Sequence, residues 1–333
     1  MHLGPDAQDA DVIELVSQTV TAARQLDAEI VHLHNLQIPY EHGLLLSLIR
    51  ELHADGRKVV LTAYDVQDEN FSISTVAGSI HGAGADKVLT VSHYTYGMLT
   101  SQGVSARIVP GCISDAVTRM AAHGTATCRR QRAGPLSVQA GAGGVIGAPG
   151  RLLSAKGQVD IIRAAAQANV RKVIVSNAQN SEPGYVELLR HETTSRGMIL
   201  QFAEDAAELY SSVDLMVAAP RIPESQGLTP LEALALAVPA VVVMSGGLAE
   251  YSAIPGVSAV ACQLFDCQPS TAGSECSPSL RYSEALATAI ASVLGDLEAW
   301  RTLARVGRER ILLTYSPWSI AALLEEIYCE VRA

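Results

Sequence analysis

The stretch Pro220-Arg221-Ile222-Pro223-Glu224-Ser225-Gln226-Gly227-Leu228-Thr229-Pro230-Leu231-Glu232-Ala233-Leu234-Ala235 decides how the rest of the chain is read. An apolar run, Leu215-Met216-Val217-Ala218-Ala219, leads into it with the length and composition of a buried strand. A turn carrying Glu224 follows. Beyond Gly227 the pattern becomes helical, with Pro230 suited to a first turn and Glu232 inside the helix. Strand-to-helix junctions of this kind bind ligands in α/β sheets, because their backbone N–H groups point outward unpaired. One carboxylate then lies in the loop and the other on the helix. Carboxylates facing a site need hydroxyls or cations as partners, and sugars offer hydroxyls. The structural alternative is a solvated Glu224 and a Glu232 that only favours the helix N-terminus.

Working outward, Pro239-Ala240-Val241-Val242-Val243 reads as the next strand, and Gly246-Gly247 beyond it would let a backbone approach a sugar or phosphate closely. Upstream, Val145-Ile146-Gly147-Ala148 runs into Pro149-Gly150-Arg151-Leu152-Leu153-Ser154-Ala155-Lys156-Gly157 before a helix at about 158–168. Arg151 offers a planar fork and Lys156 a mobile point charge, which together suit a diphosphate. A surface loop with solvated cations is the alternative.

E-S-Q-G-L-T-P-L-E-A-L-A, the strand at 239–243 and G-G-L-A-E at 246–250 resemble family 4 of the retaining GT-B glycosyltransferases, the glycosyl transferases group 1. That family shows a glutamate, seven residues, a second glutamate, then a strand and a glycine pair followed by glutamate. Its G-R-L, three residues, K-G loop matches Arg151 and Lys156 position by position. The likeness is specific at 214–250 and patchy elsewhere, from about residue 28 onward.

The resemblance implies an α/β protein of GT-B architecture, with two Rossmann-like domains whose parallel sheets face a central cleft. The expected division is 1–127, an abbreviated acceptor-side domain; 128–143, a linker; 144–316, a nucleotide-sugar domain; and 317–333, a helix crossing back to the first domain. The implied activity is retaining transfer of a sugar from a nucleotide-diphosphate donor to a hydroxylated small molecule or glycan. A UDP-sugar is favoured over a GDP-sugar, and no cofactor or metal is required. Glu224 would hold hydroxyls of the transferred sugar, Glu232 the ribose hydroxyls, and Arg151 and Lys156 the diphosphate. Gly227, Leu228, Gly246 and Gly247 would complete the donor site. The chain departs from the pattern at Tyr64, where relatives usually have histidine, at Val238, where glycine is common, and at Ser176-Asn177-Ala178. Two other readings stay open: an inactive GT-B subunit supporting a partner, and an epimerase or phosphorylase on the same fold.

The remaining sequence fits a two-domain α/β protein. The 333 residues are 48% hydrophobic and 17% charged, enough to bury a core in each domain. A net charge of −10 with no basic run argues against a nucleic-acid surface. No apolar run reaches bilayer length, and the N-terminus does not read as a signal peptide. The six cysteines, Cys112, Cys128, Cys262, Cys267, Cys276 and Cys329, lack metal-site spacing and read as reduced thiols of a cytoplasmic, bacterial enzyme. In the first domain a helix at 10–26 precedes a strand at 29–33, and His32 and His34 are expected on opposite sides of it. A helix at 41–55 and strands at 58–63 and 86–92 follow. His34, Asn35, Tyr64, Asp65 and Ser92, at or beyond strand ends, are the acceptor-side candidates. Met1 to Asp9 is polar, so the first domain is expected to lack an opening strand–helix unit. A partner subunit or a second copy of the chain would then cover the sheet edge.

Overall fold

Short apolar runs alternating with amphipathic stretches build parallel sheets, because each strand must return to the same end through a helix. The computed structural model describes residues 9–34, 44–64, 73–123, 144–179, 181–261 and 280–333. The expectations for Asn35, Asp65, the linker 128–143 and Cys128, Cys262, Cys267 and Cys276 lie outside those residues. The chain divides into two units, Met1–Gly111 with Ile320–Ala333, and Cys112–Ser319.

In the first unit, β1 (Ile30–His34), β2 (Lys58–Ala63), β3 (Lys87–Thr90) and β4 (Arg107–Ile108) form a parallel sheet in that order. Helix α1 (Asp9–Gln25) precedes β1, and α2 (Leu44–Ala54), α3 (Ile73–Ala83) and α4 (His93–Ser101) connect the strands. Val16 and Val20 of α1, Ile49 and Leu52 of α2 and Ile80 of α3 share one core with Leu33, Val59 and Leu61. The third strand is shorter than its apolar run, because Ser92 leaves the sheet to cap α4: its hydroxyl accepts from the Thr95 N–H at 3.1 Å.

His32 and His34 share one face of β1, with ring centroids 3.9 Å apart. The expectation of opposite sides is corrected by the pleat itself, since side chains two residues apart along a strand point the same way. His32 uses both ring nitrogens, Nδ1 with the Tyr328 hydroxyl at 2.6 Å and Nε2 with Thr62 Oγ1 at 2.7 Å. Burial first, and the neighbouring His34 ring second, pull His32 down to about 4 from its usual 6.5. The unfolded chain therefore takes up a proton between pH 6.5 and 4 that the folded chain resists. Stability is complete above pH 6.5 and falls as the pH drops toward 4. Urea unfolding at pH 7 and pH 5 measures this, and His32→Gln should reduce the loss; an equal loss in the variant would remove His32 as its source.

Tyr328 belongs to the last helix, whose Ile327 is fully buried. Around it Lys87 and Arg107 pair with Glu330, Arg107 with Glu326, and Arg332 with Glu29.

The second unit begins before the 127/128 boundary expected from sequence. A helix not anticipated there, α5 (Asp115–Ala122), buries Val117 and Ala121 in its core. Next come β5 (Val145–Ala148), α6 (Gln158–Gln167), β6 (Lys172–Val175), α7 (Tyr185–Thr194), β7 (Ile199–Phe202), α8 (Ala206–Ser212) and β8 (Leu215–Ala218). Then follow α9 (Thr229–Ala235), β9 (Ala240–Val243), β10 (Val257–Val260), α10 (Leu280–Gly295) and α11 (Leu297–Tyr315). The last helix, α12 (Pro317–Arg332), carries Tyr328, and from Ile320 onward it belongs to the first unit. The sheet is parallel in the order β10-β9-β8-β5-β6-β7. From β5 the chain builds outward through β6 and β7, then returns to the other side of β5 with β8. The topological switch point thus lies between β5 and β8, where the segments leaving the two strands diverge and leave a crevice. No described helix is long and apolar enough to cross a membrane.

Candidate functional site

Both elements flanking the switch point carry charge just beyond the carboxyl ends of their strands. After β5 the chain forms a short 3-10 turn, Ser154–Lys156, and Gly157 takes a left-handed conformation (φ 70°) before α6. After β8 it forms the turn that bears Arg221 and Glu224. Lys156 and Glu224 meet there: the ammonium donates to Glu224 Oε1 at 2.6 Å, both side chains being only partly exposed. Arg151 is exposed, and its guanidinium makes no hydrogen bond or ion pair among the described residues. Its carbonyl accepts from Gln158 Nε2 at 2.9 Å, and Gln158 Oε1 in turn accepts from the Tyr185 hydroxyl at 3.2 Å.

Glu232 lies in the first turn of α9, where the helix dipole favours a carboxylate. Its Oε1 accepts from the Ser114 backbone N–H at 3.1 Å and its Oε2 from the Tyr210 hydroxyl at 3.0 Å. Burial, with the Glu232 charge beside it, holds Tyr210 well above the ordinary phenol range, so the hydroxyl stays protonated and donates. A carboxylate has about four acceptor sites, so two remain for other donors. Leu228 precedes α9 and packs partly buried on the core.

Gly246 and Gly247 serve the protein's own backbone. Residues 224 and 246 form a parallel bridge, and the Gly247 N–H donates to the Glu224 carbonyl at 2.7 Å. A Cβ on Gly246 would lie 2.3 Å from the Glu224 carbonyl oxygen, and one on Gly247 2.5 Å from that of Ser225. The close approach these glycines permit is to the Glu224 turn, which they hold in place.

Residues 143–296 match the model of the family described as glycosyl transferases group 1. This segment is similar to a glycosyltransferase group 1 domain. The chain matches no curated protein sequence. Its fold is similar to that of a glycosyltransferase from Rickettsia africae ESF-5, at 15% identity and TM-score 0.74, covering 99% of this chain and 84% of the other. Anabaena HepE, solved with UDP and glucose, is 19% identical at TM-score 0.71, covering 95% and 82%. Sucrose-phosphate synthase from Thermosynechococcus elongatus is 17% identical at TM-score 0.73, covering 99% and 80%. The α/β architecture, with parallel sheets in two units, matches GT-B glycosyltransferase structures.

Within the matched segment the structure brings Lys156 to Glu224 and sets Arg151 on the same loop. In the first unit His34 Nδ1 lies 3.0 Å from the Tyr64 hydroxyl, and Ser92 is buried as a helix cap. Sequence reasoning missed Asp160, Arg221 and Tyr210. Arg221, a cation at the end of β8, was visible in the decisive stretch, but its partner Asp160 lies 61 positions away.

Proposed function

We propose that this chain is a retaining glycosyltransferase that moves a sugar from a nucleotide-diphosphate donor to an acceptor hydroxyl. The observation that carries the reading is the Lys156–Glu224 pair at the β5/β8 switch point, with Arg151 on the same loop, in a segment that matches the glycosyl transferases group 1 model. Arg151 and Lys156 are assigned to the diphosphate, whose negative charge grows as the bond to the anomeric carbon breaks. Glu224 accepts hydrogen bonds from the transferred sugar. The acceptor oxygen bonds to the anomeric carbon on the face the diphosphate leaves, and its proton passes to the departing phosphate oxygen. The configuration is retained and no protein nucleophile is used. UDP is the proposed carrier, in keeping with the UDP bound by Anabaena HepE. A cytoplasmic location is proposed, in keeping with the reading of the cysteines as reduced thiols.

Glu232 is assigned to the ribose. Pinned by Ser114 and Tyr210, it has two acceptor sites left for a pair of adjacent hydroxyls. Glu232→Gln should weaken UDP binding by about 1.5–3 kcal/mol, the worth of a charge-assisted bond. Calorimetry measures this, and an unchanged affinity would leave Glu232 a helix residue only.

A thermal-shift screen of UDP-, GDP-, ADP- and dTDP-sugars tests the reading as a whole, because a ligand bound only by the folded state raises apparent stability. UDP-sugars should give the largest rise. If no nucleotide sugar stabilises the chain, the proposed function fails; product analysis with the best donor separates transfer from epimerisation.

A further inference from the structure

The loop that carries Arg151 and Lys156 is tied to the β8–α9 turn by more than the Lys156–Glu224 pair. The Arg221 N–H donates to the Ala155 carbonyl at 2.8 Å. Gly157 packs so closely on β8's end that a Cβ there would lie 2.0 Å from the Ala219 carbonyl oxygen. The Arg221 guanidinium grips Asp160 with two bonds, Nε to Oδ2 at 2.8 Å and Nη2 to Oδ1 at 3.1 Å. Asp160 is wholly buried in the first turn of α6, whereas Arg221 is partly exposed. The hydrogen bonds from Arg221 to Asp160 raise the Arg221 pKa further, so the guanidinium stays charged.

A buried ion pair is a poor way to gain stability, since apolar side chains of similar size often do as well. What the fork supplies is geometry: a planar, two-point contact fixes both partners in distance and in angle. Here it fixes the backbone of residue 221 against that of residue 155, immediately before Lys156. At the other end of the loop Gln158 holds the Arg151 carbonyl. Both cations thus sit on a segment anchored at each end.

We propose that Arg221, locked by Asp160, is a positioning residue for the donor diphosphate: it places Arg151 and Lys156 without itself being a ligand. Its charge is spent on Asp160, so it acts through the loop. This rests on the sugar-transfer reading. The consequence is selective: disturbing the fork weakens binding of the diphosphate and leaves binding of the nucleoside unchanged.

The test compares UDP with uridine, by calorimetry and ligand-observed NMR, in the full chain and in Arg221→Met and Arg221→Lys. Arg221→Lys keeps Asp160 paired but cannot form the fork, so it serves even where Arg221→Met fails to fold. UDP affinity should fall roughly tenfold or more in each folded variant, as when a charge-assisted contact is lost, with uridine affinity unchanged. A merely structural role would weaken both ligands together. Proportional losses, or UDP affinity unchanged in Arg221→Lys, overturn the proposal. A wild-type chain that binds neither probe removes the sugar-transfer reading itself, and this inference with it.

Discussion

Lys156→Ala and Arg151→Ala are each expected to slow the proposed sugar transfer by roughly 10²-fold or more, the usual cost of losing one preorganised stabiliser of developing charge. The diphosphate gains charge as it leaves, so a cation at its oxygens stabilises the transition state more than the bound donor. Neither side chain belongs to the core. Arg151 is exposed, and Lys156 keeps a quarter of its side-chain surface accessible, at 25%. Thermal unfolding should therefore change little while single-turnover rates collapse. Near-normal turnover in both variants would falsify the diphosphate assignment.

Glu224→Gln is expected to move two quantities in opposite directions. Turnover falls about 10- to 100-fold, because a carboxylate accepting sugar hydroxyls is worth about 1.5–3 kcal/mol over its loss. Affinity for free UDP rises instead. In the free protein the Lys156 ammonium rests on Glu224 at 2.6 Å, so an arriving diphosphate must compete with that carboxylate. A partly exposed pair of this kind is screened by water and worth about 0.5–1 kcal/mol, which predicts a gain of roughly two- to five-fold. Salt should shrink the gain. In Lys156→Ala the second substitution should bring no gain, because the competing pair is already absent. Weaker UDP binding in Glu224→Gln would show that Glu224 does not hold Lys156 back.

How much of this was legible follows from the range of each interaction. Strand β8, the turn after it and helix α9 were readable because each is local: an apolar run, a Gly227 that takes φ 77°, and a Pro230 in the first helical turn. Strands β5 and β9 were readable for the same reason. The short 3-10 turn before Gly157 could not be read, since three residues leave no periodic pattern. Helix α5 was missed because its eight residues are too few for a sustained period. The histidines of β1 were a different matter. Their spacing of two fixes a common face, and the structure restores what that period requires.

By itself, then, the sequence determined an alternation of strands and helices, the candidates Arg151, Lys156, Glu224 and Glu232, and a resemblance to glycosyltransferases densest at 214–250. Local propensity and periodicity act over a few residues, and so do short motifs. Only the tertiary structure decided that β5 and β8 are neighbours, placing the switch point beside both charged segments. It alone joined Lys156 to Glu224 across 68 positions, Asp160 to Arg221 across 61, and Ser114 to Glu232 across 118. It also turned Gly246 and Gly247 against the Glu224 turn. These contacts depend on the order in which strands pair, which the packing of the whole sheet selects and no single segment encodes.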